Sequence, residues 1–456
     1  MALWAVGLAL LCLLAWWCWG HKAALGRLTG GRRQQRQPGP AGEGHGDGVT
    51  FAEERGTPVG DCWLICKPSA LAQALLKSFC RSAELEAKRW SWKSWPNLQT
   101  VMQLLWPPGH PLEFARDHLQ LADKGLVALD WVVGPSDRGR KATDAAESLV
   151  LLVVPNATGR ITRNIQQLCR QALQQGYYPV IFNRRGHNGC PLTSPKLQPF
   201  GDPADLKEAV AYIRFRHPTS TLFAVSEGSG SGLLLSYLGE CGSSSYLGGA
   251  TCISPLLKVQ DWFEIGIPWL YEWSLLLFQK RSISRYAKAL KEVVEMDRVL
   301  ESRSLQAFEE ALFCHHKSQG SSWVAYWDAN EPLRDVDEVA VPVLCLCSAD
   351  DPIRGAPDAT LPWELFQSNP FLFLLLSPHG GHCGFLGRES DSWGNAVILE
   401  YLRTLVEFFR GEKRMKERPH CGMTTAHHRC RRGTPQSREA LLPTSNPFSW
   451  QRSYTH

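Results

Sequence analysis

The stretch Thr221-Leu-Phe-Ala-Val-Ser-Glu-Gly-Ser-Gly-Ser-Gly-Leu-Leu-Leu-Ser-Tyr-Leu238 has the form of a strand, a glycine-serine turn and a helix, the layout that lifts a catalytic serine above a parallel sheet. That nucleophile elbow is written G-x-S-x-G, because the serine sits in a strained turn and small residues on either side let strand and helix pass closely. No five residues here satisfy it. Centred on Ser229 the window is Glu-Gly-Ser-Gly-Ser. Centred on Ser226 it is Ala-Val-Ser-Glu-Gly, a small-residue variant after which the apolar run Leu233-Leu234-Leu235 starts late for the following helix.

Outward from this stretch, strand and helix signals alternate. Short apolar runs at 148–154, 179–183, 221–225 and 250–253 are separated by helical patterns at 164–175, 202–216 and 232–238, and two later strands, 341–347 and 371–376, precede a long helix at 393–409. Continuous apolar strands between amphipathic helices predict an α/β fold with a mostly parallel sheet covered on both faces. The sequence divides into an apolar segment at 1–20, a flexible linker at 21–60, an N-terminal extension packing on the core at 61–135, the core at 136–255, a helical lid at 256–339, the rest of the core at 340–410 and a basic disordered tail at 411–456. The lid opens with the aromatic-rich run 261–273. Such residues can cover an apolar acyl pocket or simply pack helices onto the sheet, and both readings stay open.

Two further pieces follow the elbow in chain order. Asp350-Asp351-Pro352 closes the strand 341–347, and His382 lies in Gly380-Gly381-His382-Cys383-Gly384-Phe385, a loop past the next strand. Ser, Asp, His is the order in which this fold delivers a triad: Asp351 would orient the imidazole of His382, whose other nitrogen would take the proton of the serine, Ser229 or Ser226. The exit of the first strand, Val153 to Gly159, is where the fold supplies an oxyanion-hole amide, from Asn156 or Ala157. Asn156-Ala157-Thr158 also matches a glycosylation acceptor, but a residue facing the cleft is a poor sugar carrier, and the sequon is rejected. The charges of Asn183-Arg184-Arg185-Gly186-His187 are expected to hydrogen-bond the loops rather than to bind phosphate.

Composition sets the limits. With 456 residues, 44% hydrophobic and 20% charged, the chain can bury a full core with appendages, and its formal charge of +5 comes largely from the two ends, which argues for a solvated or lipid-facing tail and against nucleic acid. Residues 2–20 carry no charged side chain and four tryptophans, three of them gathered at 16–19; as a helix they would rise roughly 28 Å, enough for a membrane anchor. The alternative is a signal peptide cleaved near Gly20, giving a secreted protein. The fifteen cysteines show no disulfide framework or zinc spacing and read as buried thiols, with Cys62-x-x-x-Cys66 a possible helical turn. No metal or cofactor motif is present.

The motifs taken together resemble those of the α/β-hydrolase superfamily and, more narrowly, the AB hydrolase 4 family, over about 96–409: Pro96-Asn97-Leu98-Gln99-Thr100, Leu129-Asp130-Trp131, Asn183-Arg184-Arg185-Gly186-His187, Ala349-Asp350-Asp351-Pro352 and Gly380-Gly381-His382-Cys383-Gly384-Phe385-Leu386. The resemblance implies membrane-associated or signal-bearing lipid esterases or phospholipases with a Ser-Asp-His triad and no metal, Asp351 as the acid and His382 as the base. An ungapped placement puts Gly228 where the family has its nucleophile, with Ser229 one residue on. Two functions follow: a serine hydrolase of lipid esters with a degenerate elbow, or a pseudoenzyme that keeps the pocket to bind a lipid or a protein partner at a membrane surface.

Overall fold

In the computed structural model, residues 56–81, 95–105, 112–134, 148–317, 320–387 and 392–417 are described. The apolar segment at 1–20, the linker up to residue 55 and the tail beyond 417 lie outside them. Strands β5 (Leu149–Val154), β6 (Tyr177–Asn183), β7 (Thr221–Glu227), β8 (Leu247–Ile253), β9 (Val343–Ser348) and β10 (Leu372–Ser377) are the apolar runs anticipated from sequence, and all pair in parallel. Four more, β1 (Thr57–Val59), β2 (Cys62–Ile65), β3 (Glu113–Gln120) and β4 (Leu126–Val133), bring the sheet to ten strands in the order β1-β2-β10-β9-β8-β7-β5-β6-β4-β3. Strand β1 thus lies within the segment 21–60 expected to be a flexible linker, and 61–135 adds strands at both edges of the sheet. The edge strand β3 is mostly solvent-facing, so it carries no apolar run to betray it. Cys62 starts β2 rather than a helical turn.

Helices α1 (Ala70–Phe79), α2 (Pro96–Leu105), α3 (Arg163–Gln174), α4 (Ala204–Arg216) and α5 (Gly230–Cys241) connect or flank these strands. Leucine, valine and phenylalanine side chains from alternate strand positions fill two separate cores, one on each sheet face. This is why the strands read as unbroken apolar runs: both sides are covered. Between β8 and β9 lies the lid, including α6 (Val259–Ile265), α7 (Trp269–Ser284), α8 (Leu305–Glu309) and α9 (Trp323–Asn330), with apolar clusters of its own. The final helix α10 (Trp393–Glu417) runs seven residues into the segment expected to be a disordered tail. Among the described residues no helix is long and apolar enough to cross a membrane, and the eleven cysteines described are unpaired thiols.

Charged motifs outside the site hold loops, as the chemistry of arginine predicts. Arg185 forms a two-pronged pair with Asp205, both bonds 2.6 Å, and a third bond with Asp123. Asp130 accepts from Arg116 at 2.6 and 2.7 Å and from Asn183 Nδ2 at 2.8 Å. Because Asp205 is only 4% exposed, Arg185→Ala leaves a buried carboxylate without its partner, which costs about 3–5 kcal/mol. Urea denaturation reads this directly; a loss no larger than that of a surface substitution would contradict the structural role.

Candidate active site

The elbow is formed, but a glycine stands at its apex. After β7, Gly228 adopts φ +52°, the left-handed conformation that lifts a nucleophile off the end of the strand. A Cβ placed on Gly228 would lie 3.1 Å from His382 Nε2, 3.7 Å from Asn156 Cβ and 3.8 Å from Cys383 Sγ. Gly228 thus occupies the point from which a serine hydroxyl would meet the histidine. Gly230 supplies the close crossing: a Cβ there would come within 2.4 Å of the Pro155 carbonyl oxygen.

Neither candidate serine fills the gap. Ser229 stands at the N-cap position just before α5, and its hydroxyl accepts a 2.8 Å hydrogen bond from the Ala157 amide. Ala157 N is the donor expected of the oxyanion hole, so Ser229 Oγ occupies that hole from inside the chain. Ser226 is fully buried in β7, donating to Ser231 Oγ at 2.9 Å and approaching the Thr251 carbonyl at 3.4 Å. The side chain of Asn156, the alternative source of that amide, braces the turn: its Oδ1 accepts from Thr158 and its Nδ2 donates to Glu227.

The other two members of the triad geometry are in place. His382 Nδ1 lies 2.9 Å from Asp351 Oδ2, and Asp351 Oδ1 accepts from the Ile353 and Arg354 amides. The His382 loop hangs on α2 and α3: its amide donates to Thr100 Oγ1 at 2.9 Å, Gln99 Oε1 accepts from Leu386 N, and Asn164 Nδ2 donates to the Cys383 carbonyl. The Pro96-to-Thr100 motif is therefore a clamp for the histidine loop. Burial works against a charged His382, but the Asp351 carboxylate, with Cys383, outweighs it and holds the imidazole well above its ordinary range. Burial pushes Asp351 up, yet His382 and Arg354 bring it below the usual carboxylate range. Both directions favour the ionic form of the pair. Burial also raises the Cys383 thiol, so it is no ready thiolate to replace the serine.

Three groups of the site are given no part in it by the sequence, from which Arg184 and His187 are expected to hydrogen-bond the loops, yet Arg184 Nη2 and His187 Nδ1 are buried without a partner. Glu227, just before the apex, is buried and bonded to Gln103 Nε2 at 2.7 Å, Thr162 Oγ1 at 3.1 Å and Asn156 Nδ2; burial pushes its carboxyl up to about 7, against the opposing hydrogen bonds and His382. Arg184 and His187 are the others. A cavity of about 370 Å³ is lined by Ser229, Glu227 and His382, by the lid residues Trp262, Phe263, Tyr271, Phe278 and Phe308, and by Arg184 and His187. Some lid aromatics do both jobs: Phe263 lines the cavity and packs edge-on to Phe200 and Trp262. Among the described residues no cluster of metal-ligating side chains occurs.

No family model matches the chain. It is 58% identical to Protein ABHD15 of Homo sapiens over 441 residues, which cover 96% of this chain and 94% of that protein. It is 28% identical to Phospholipase ABHD3 of Mus musculus, over 70% of this chain and 78% of the relative, and 25% identical to medium-chain fatty acid ethyl ester synthase/esterase 2 of Saccharomyces cerevisiae, over 56% and 61%.

The Glu227 environment sets a pH test. A carboxyl whose native pKa lies above its unfolded value binds its proton more tightly when folded, so its contribution to stability is present below about pH 4.5 and is lost as pH rises through about 7. Glu227→Gln does not titrate. Relative to the parent it is expected to gain up to about 3 kcal/mol between pH 4.5 and pH 8. Urea unfolding at both pH values checks this, and an equal difference at the two would refute it.

Proposed function

The chain belongs to the α/β-hydrolase superfamily, in the AB hydrolase 4 family with Protein ABHD15, and from that premise we propose that it binds an acyl lipid in a hydrolase pocket without serine hydrolysis, as a regulator. The observation that carries this is the double loss at the elbow: no hydroxyl at Gly228, and the Ser229 hydroxyl on the Ala157 amide. Losing the nucleophile removes the acyl-enzyme step. Blocking an oxyanion donor removes a further factor of about 10²–10³. The names of the relatives, a phospholipase and a fatty acid ethyl ester synthase/esterase, support an acyl chain as what the cavity accepts.

The Asp351–His382 pair, still at 2.9 Å, favours a second reading, hydrolysis of a lipid ester by Ser229 after a local shift of the turn. A fluorophosphonate probe with peptide mapping separates the two. The expected result is no labelled serine in 226–231 of the wild type. Gly228→Ser alone is expected to gain little esterase activity, because Ser229 still fills the oxyanion site. Gly228→Ser with Ser229→Ala is expected to exceed it by about 10²-fold, and His382→Ala in that background to abolish the gain. Wild-type labelling at Ser229 that disappears in Ser229→Ala would sink the binder reading.

We also propose a membrane location. Residues 2–20 can span a bilayer, and Trp269, Trp273 and Leu277, four residues apart on α7, are 66%, 49% and 50% exposed, a stripe suited to an interface beside the cavity. Secretion after cleavage near Gly20 is the alternative, and a protein partner could dock on the same face. Deleting residues 1–20 is expected to move the protein from the membrane to the soluble fraction; mature protein beginning at His21 would overturn the anchor.

A further inference from the structure

We propose that the occupant of the cavity is a single-chain lipid with an anionic head, carboxylate or phosphate, and that Arg184 and His187 are the site for that head. This rests on the binder reading and makes it specific. Arg184 is 8% exposed, lines the cavity, and has Nη2 buried with no hydrogen-bond partner; among the described residues its guanidinium makes no ion pair. A buried cation without an acceptor is costly, so such groups are paired or wait for a ligand.

The nearby carboxylates do not supply the partner. Asp205 and Asp123 are taken by Arg185. Glu309 lies close enough to feel the charge, but it accepts a 2.6 Å bond from the Tyr326 hydroxyl, and burial pushes it up to about 7. Burial lowers Arg184 only to about 10, with Asp205 and Glu309 opposing, so it stays charged at neutral pH. His187 Nδ1, three residues on, is also buried without a partner and lines the same cavity. Burial and the charges of Arg184 and Arg285 hold its ring down to about 4, hence neutral. A cation and a neutral ring nitrogen together match two oxygens of one anionic head.

The rest of the cavity fixes the tail. The same wall includes Leu270, Leu275, Phe278, Ile283, Phe308 and Leu312, all apolar. At about 370 Å³ the volume is near the lower end for ligand pockets, which suits one acyl chain.

The test is equilibrium binding of palmitate, methyl palmitate and palmitoyl lysophosphatidate to the full-length chain in detergent below its micellar limit, for wild type, Arg184→Gln and Arg184→Lys. In wild type the anionic ligands are expected to bind at least about 10-fold more tightly than the methyl ester, and Arg184→Gln to lose about 10- to 100-fold for them while holding the ester unchanged. Arg184→Lys keeps the charge and is expected to recover part of the loss. Whichever of palmitate and lysophosphatidate binds more tightly identifies the head. The ester serves as the folding control for the variants. Equal binding of acid and ester by wild type would overturn the anionic site and leave the lipid pocket standing; no binding of any of the three would overturn both.

Discussion

Strand β7 and helix α5 cross the end of β5 with no side chain between them. Gly230 sits beneath the Val154 and Pro155 carbonyls so closely that a Cβ would be 2.7 and 2.4 Å from their oxygens. That contact fixes where the turn ends and the helix begins, and with it the direction of every residue in the turn. Gly228 must then take the left-handed conformation facing His382, and Ser229 must face β5, where the Ala157 amide waits. A one-residue slip that brought Ser229 to the apex would push Ser231 into the crossing, where a side chain has no room. The occupied oxyanion site is thus a consequence of the backbone and needs no separate cause.

The same geometry explains what the histidine is doing without a serine. His382 is clamped by Thr100, and its neighbour Cys383 by Ser254 and Asn164, while Asp351 is pinned by two backbone amides. Such a pair can hold a loop against the sheet whether or not it moves protons. Its charge state fits that structural role: proximity to Asp351 raises the imidazole more than burial lowers it, and with no hydroxyl to deprotonate the proton has nowhere to go. Glu227, one step from the apex, adds a second acid with the opposite tendency, pushed towards the neutral form by burial.

Much of this was legible in the residues. The central strands announce themselves because burial on both faces leaves unbroken runs such as Leu149 to Val154, and the placement of Gly228 at the nucleophile position follows from flanking residues that carry the helix. What escaped was of two kinds. Edge strand β3 has an exposed, polar sequence, and its place comes from eight backbone pairings with β4 that side-chain pattern does not record. Arg184 and Arg185 are adjacent and identical in type, yet one is spent on Asp205 and Asp123 and the other is left without a partner. Only the path of the loop decides which, because successive side chains leave the backbone in different directions.

That division has a consequence for the cavity as a whole. Its acids, Glu227 and Glu309, are both raised by burial to about 7 and carry less than full charge at neutral pH, and His382 and Asp351 cancel. Arg184 is the buried cation of the wall, with no ion pair among the described residues. On the proposed reading, a hydrolase that released a fatty acid into such a space would hold its own product, since charge-assisted hydrogen bonds to a cation that is already desolvated offset the hydration the carboxylate gives up. Product retention is a defect in a turnover enzyme and a virtue in a sensor. On the proposed reading, the missing hydroxyl at Gly228 and the buried guanidinium of Arg184 serve one end, a pocket that keeps an acyl anion rather than makes one.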